Sequence, residues 1–157
     1  DGIDKLPVRE DVHLVCEPGR ALVAEAESLI VRVDLRRGSD LFINDGSYGV
    51  LFDAAHLNFV YPAQLVGREI PASESLMPFE LWGPTCDSID HMKGPFFLPS
   101  SVREGDYIEF GNVGAYGRAL AGDFNGYGRY EDVILLDEPL MSMYGSGRAG
   151  STAAAKS

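Results

Sequence analysis

The chain is short of cationic charge. It has 13 Lys and Arg against 24 Asp and Glu in 157 residues, a formal net charge of −11. Such a surface repels phosphate backbones and anionic lipid alike, so neither nucleic acid nor a membrane is expected as a partner. It would suit a cationic substrate, although most of this charge reads as ordinary solubilising surface. Cysteine is scarce, with only Cys16 and Cys86. A disulfide framework would normally use more, so two unpaired thiols in a reducing compartment are expected. There are only three histidines. His13 and His56 read as structural, and Cys86 with His91 lacks a convincing second pair of metal ligands. No stretch approaches the roughly 20 apolar residues of a transmembrane helix. No signal peptide opens the chain, and a cytoplasmic location is expected. The first residue is Asp1, and an apolar segment follows at Val12; this start suggests a piece of a longer polypeptide.

Apolar residues make up 45% of the chain, enough for a folded core in one ordinary domain. Val12–Cys16 is a short apolar run stopped by Pro18-Gly19, which predicts a buried strand and a turn. Residues 21–27 favour one or two helical turns. Residues 28–35 alternate and are rich in β-branched side chains, predicting a strand that forms a hairpin with 40–44. Further strands are expected near 57–61, 64–70, 78–82, 106–110 and 132–136. Turns are expected at Gly94-Pro95 and Glu104-Gly105, a helical turn near 87–91, and a short helix or strand at 119–123. Seven or eight short strands with little helix predict a mainly β domain, barrel-like or sandwich-like. The division expected is 1–25, ending a preceding domain, then 26–140 as the β-domain and 141–157 as a flexible tail.

Several segments carry chemistry. Glu17-Pro18-Gly19-Arg20 sets a carboxylate and a guanidinium around a turn, with a glycine that permits close backbone approach. Alone, that tetrapeptide is a weak signal and reads first as a surface turn with a salt bridge. Asn44-Asp45-Gly46 is a common turn triplet. Trp82-Gly83-Pro84-Thr85-Cys86-Asp87-Ser88-Ile89-Asp90 places a thiol and two nearby carboxylates in a turn-rich loop. Cys86 there is a proton donor, a nucleophile or an inert packed thiol, according to its surroundings. Glycines 111, 114 and 117 do not make a dinucleotide loop, since no long helix follows; Tyr116 among them can donate a hydrogen bond to an anion.

Taken in order, EPGR, INDGSYG, WGPTCDSID, GDYIEFGNVGAYG and FNGYG resemble the C-terminal part of the fold-type III pyridoxal phosphate (PLP) decarboxylases of the ornithine/lysine type. The resemblance runs from about Val12 to Leu136. It implies a β-domain preceded by the last strand of a β/α barrel, and a homodimer with shared active sites. It implies that Glu17 pairs with the pyridine nitrogen and that Gly19, Arg20 and Tyr116 contact the cofactor phosphate. Cys86 would protonate the carbanion after CO₂ leaves, and Asp45 and Asp87 would receive the distal ammonium of a basic amino acid. Cys86 and Asp87 would serve the partner subunit's site, and Phe124 would lie near that interface.

The resemblance also has gaps. The lysine that anchors the cofactor lies upstream in this family, and Lys5, Lys93 and Lys156 match no such motif. The barrel's glycine-rich phosphate loop is missing too, so the chain alone is not expected to turn over substrate. Diaminopimelate decarboxylases are also similar but typically carry Glu after the cysteine, where this chain has Asp87; ornithine or lysine is therefore favoured over diaminopimelate, with arginine less favoured. The alternatives kept open are a diaminopimelate decarboxylase-like enzyme and a non-catalytic regulatory homologue that pairs with a decarboxylase.

Overall fold

The structure, a computed structural model, describes residues 5–9 and 11–136. Three short helices, α1 (Gly19–Val23), α2 (Phe52–His56) and α3 (Gly117–Leu120), accompany six strands. The strands are β1 (Leu29–Arg37), β2 (Asp40–Ile43), β3 (Ala63–Val66), β4 (Leu76–Trp82), β5 (His91–Pro99) and β6 (Tyr107–Phe110). They form one sheet in the order β3-β6-β1-β2-β4-β5. All neighbours are antiparallel except β2 and β4, which run parallel.

Alternation along the strands decides which way the sheet faces. In β1, Leu29, Val31 and Val33 are buried while Ile30, Arg32 and Asp34 are exposed. Leu41 and Ile43 of β2, Phe79 and Leu81 of β4, and Met92, Phe96 and Leu98 of β5 join them inside. The edge strands β3 and β5 pack against each other, so the sheet curls round its own core as a half-barrel. Phe96 and Phe110 meet edge to face within it, centroids 5.7 Å apart. The mainly β fold expected from the sequence is therefore present, as a single curled sheet.

Several local expectations are corrected. Val12–Cys16 is neither a strand nor buried; it runs as exposed coil. A strand is held by ladder partners, and none of the described residues pairs with this run. The 132–136 segment fails for the same reason, with Leu136 99% exposed. Strand propensity describes fitness for a half-buried pleated surface and does not supply that surface. The expected strand at 57–61 is replaced by the end of α2: Asn58 adopts φ +53°, a left-handed conformation that breaks an extended run. Gly94-Pro95 lies inside β5 rather than in a turn. Three residues of β5 there face one of β4, between the Phe79–Phe96 and Leu81–Met92 pairs, and Gly94 at φ +65° forms the bulge. The described residues thus hold six strands, not seven or eight. The tail expected at 141–157 lies outside the described residues. None of the helices described is long and apolar enough to cross a membrane.

One ion pair locks the β6 end of the sheet. Arg68 donates to both oxygens of Asp106 at 3.1 and 3.0 Å, and the Arg103 amide adds a third bond at 3.0 Å. Burial opposes the charged form of Asp106, but Arg68 and the Arg103 amide outweigh it and hold the carboxyl below its ordinary value of 3.8. The stabilisation is accordingly present above about pH 4 and is lost as pH falls through the lowered value. Asp106→Asn should cost about 1 kcal/mol near neutral pH, limited by the solvation of Arg68, and should flatten the acid limb of stability against pH. Phe110→Ala should cost about 3–5 kcal/mol by cavity formation. Urea denaturation at several pH values checks both.

Candidate active site

The residues that matched cofactor contacts come together at the α1 end of the sheet. The chain turns at Pro18 into α1, with the Gly19 amide donating to the Glu17 carbonyl at 2.8 Å. The segment after β6 returns beneath it: the Gly114 amide donates to Ala24 at 3.0 Å, and the Val113 amide to Glu27 at 3.2 Å. A Cβ at Gly114 would stand 2.1 Å from the Val23 carbonyl oxygen, so only glycine allows this approach. The approach places Tyr116 over the turn. A Cβ on Gly19 would lie 3.0 Å from the Tyr116 hydroxyl, and the Arg20 guanidinium lies 5.5 Å from the Tyr116 ring centroid and 5.1 Å from that of Phe59. Arg20 donates to the Ala115 carbonyl and, at 2.6 Å, to Asp53. The bond to Asp53 raises the guanidinium's pKa above its ordinary value. Glu17 is exposed at the mouth of the turn. A guanidinium with N–H donors to spare, a phenol and a residue without a side chain converge here, which fits a phosphate monoester such as that of pyridoxal phosphate.

A second cluster stands on the loop between β4 and β5. Cys86 is an exposed free thiol, as is Cys16. The Asn125 side-chain amide donates to the Cys86 Sγ at 3.5 Å. Asp87 accepts from the Ile89 amide at 3.0 Å and from the Tyr48 hydroxyl. Those two bonds hold its carboxyl below the usual carboxylate value. The Tyr48 ring stacks on Phe124, centroids 4.3 Å apart. Thiol, ionised carboxylate and two aromatics thus share one partly solvated patch.

Asp45 is placed differently. It is 7% exposed, accepts from the Tyr130 hydroxyl at 2.7 Å and, more weakly, from the Leu51 amide at 3.4 Å. Burial pushes its carboxyl up, and these bonds only partly offset that. A Cβ at Gly49 would lie 2.5 Å from it. Asp45 therefore braces the 45–51 turn from within, and of the two carboxylates expected to meet an ammonium only Asp87 belongs to the solvated patch. The sequence reading missed Asp53 as the partner of Arg20, since nothing in Phe52-Asp53-Ala54-Ala55 marks it. It also gave no role to Asp90, which is 1% exposed and accepts from Ser47 and Thr85.

Comparison with known proteins identifies a family over most of the chain. The family described as "Pyridoxal-dependent decarboxylase, C-terminal sheet domain" matches residues 15–114. Antizyme inhibitor 2 of Xenopus laevis is 33% identical, over 77% of this chain and 30% of its own. Ornithine decarboxylase of Cricetulus griseus is 31% identical, over 90% of this chain and 34% of its own. The crystal structure of lysine/ornithine decarboxylase from Vibrio vulnificus complexed with cadaverine superposes with a TM-score of 0.61 at 31% identity, over 83% of this chain and 36% of that one. The chain spans about a third of the length of these curated relatives. On the extent of these matches and the curled sheet that accompanies them, the chain belongs to the pyridoxal-dependent decarboxylases and carries their C-terminal sheet domain.

Proposed function

We propose that this chain completes the active site of a PLP-dependent decarboxylase that converts ornithine or lysine to the diamine and CO₂, in polyamine biosynthesis. The observation that carries this reading is the pairing of Cys86 with an ionised Asp87 in one solvated patch. Residues 1–25 belong with the barrel, and 26–140 form the sheet domain. The enzyme is a cytoplasmic homodimer in which Cys86 and Asp87 face the barrel of a second copy.

Each residue's part follows from its chemistry. Arg20 and the Tyr116 hydroxyl would hold the phosphate as donors, and the absent side chain of Gly19 leaves the Tyr116 hydroxyl free to approach the turn. The Glu17 carboxylate would accept the ring N–H and favour the protonated nitrogen. Pyridoxal phosphate, when bound, would supply the electron sink that loss of CO₂ requires. Cys86 Sγ–H delivers the proton that replaces CO₂ on Cα. Asp87 receives the distal ammonium, and Tyr48 and the Ile89 amide keep its carboxylate charged and oriented. Asp45, buried against Tyr130, shapes the turn that carries Tyr48.

A second reading is favoured by the similarity to Xenopus antizyme inhibitor 2: a non-catalytic homologue that regulates a decarboxylase by pairing with it. CO₂ release from ornithine and lysine by the whole protein, with arginine and diaminopimelate run beside them, separates the two. Release from ornithine or lysine is expected; no release from any of the four overturns the decarboxylase reading. Cys86→Ala should lower kcat by roughly a hundredfold or more with little change in KM, as for loss of a general acid. Asp87→Asn should raise KM for a diamino acid by roughly ten- to a hundredfold. Because the Asp87 carboxyl lies below its ordinary value, KM of the parent should stay flat with respect to this group from neutral pH down to about pH 5. Steady-state assays across pH check these outcomes.

A further inference from the structure

The loop joining β4 to β5 is closed at its neck by Trp82 opposite His91, rings stacked at 3.8 Å and 4°. Inside the neck, Asp90 turns back into the protein and is 1% exposed. Its Oδ2 accepts from the Thr85 amide at 3.0 Å and the Thr85 hydroxyl at 2.7 Å. Its Oδ1 accepts from the Ser47 amide at 2.7 Å, on the other loop. The backbone closes the same turn, with Gly83 N–H donating to the Asp90 carbonyl at 2.9 Å and Asp90 N–H to the Asp87 carbonyl at 3.0 Å.

The fit round this carboxylate is tight. A Cβ on Gly46 would stand 2.0 Å from Asp90 Oδ1, and one on Gly83 2.1 Å from it. Thr85 immediately precedes Cys86, and Ser47 immediately precedes Tyr48, the residue that donates to Asp87. The two loops are therefore joined twice, once through Asp90 and once through Tyr48 and Asp87. An apolar side chain could fill such a space without the cost of desolvating a charge. It could not accept from one loop and the other at once, and that directional requirement is what a carboxylate meets.

We propose that Asp90 is a positioning residue that holds Cys86 and Asp87 at a set place against Tyr48, and so orients the thiol and the carboxylate toward substrate. This rests on the decarboxylase reading for its purpose but not for its first test. In this chain with Cys16→Ser, Cys86 is the only thiol, and its alkylation by iodoacetamide reports the loop directly. Asp90→Asn puts an NH₂ group among donors; a several-fold faster alkylation is expected, with the far-UV circular dichroism of the parent retained. Thr85→Val removes one of the three bonds and should give a smaller increase. An unchanged or slower rate in the folded variants overturns the proposal, and Thr85→Val decides alone should Asp90→Asn not fold. The second test uses the whole enzyme. Asp90→Asn should raise KM for the diamino acid several-fold, and most of that effect should vanish when Asp87 is already Asn. Strictly additive effects overturn the positioning role. A whole protein without decarboxylase activity defeats the functional reading, and the alkylation rates then decide the role of Asp90 by themselves.

Discussion

A single buried carboxylate holds together the part of the molecule where chemistry is expected. Asp90 sits where neither Gly46 nor Gly83 has space for a side chain, and it takes hydrogen bonds from both loops that meet there. A buried charge is tolerable only when its acceptor sites are filled. The constraint therefore works in both directions. The loops must close for Asp90 to be satisfied, and once they are closed Cys86 and Asp87 stand beside Tyr48. The Trp82–His91 stack on the adjoining register pair keeps the loop from opening at its base.

The two clusters are linked by one stretch of chain. After β6 the backbone passes under α1 at Gly114, presents Tyr116 to Gly19 and Arg20, turns through α3 and ends at Phe124 and Asn125 beside Cys86. The Gly122 amide donates to the Tyr48 carbonyl at 2.8 Å and fixes the far end of that path. The curled sheet thus serves as a frame: its strands bury the core, and the connections between them carry the groups that would meet phosphate and substrate. That division suits a domain whose part is to complete a site rather than to enclose one.

The strands that alternate cleanly were legible from the sequence. Leu29–Arg37 with Asp40–Ile43 set Leu29, Val31, Val33, Leu41 and Ile43 inward, Tyr107–Phe110 sets Ile108 and Phe110 inward, and all three formed as expected. Two of the failures share one cause. Val12–Cys16 and 132–136 have the composition of strands, yet pairing depends on what lies beside them, which is not a property of the run itself. At 57–61 a single left-handed asparagine outweighed the propensity of its neighbours. Of the residues the sequence singled out, Gly19, Arg20 and Tyr116 do converge, although nearly a hundred residues separate the last from the others.

Asp45, Asp87 and Asp90 show where the boundary falls. By itself the sequence determined that acidic residues stand in two turn-rich segments, one of them beside a cysteine, and it determined the order of motifs that marks the family. Only the tertiary structure decided which carboxylate does what. Asp45 meets Tyr130 and is buried, Asp90 meets Ser47 and Thr85 and is buried, and Asp87 meets Tyr48 at the surface and stays charged. The physical reason is that a carboxylate's role depends on its desolvation and its donors. Tyr130, Ser47 and Tyr48 lie 85, 43 and 39 residues away along the chain from the acids they bond, so no local pattern encodes these pairings.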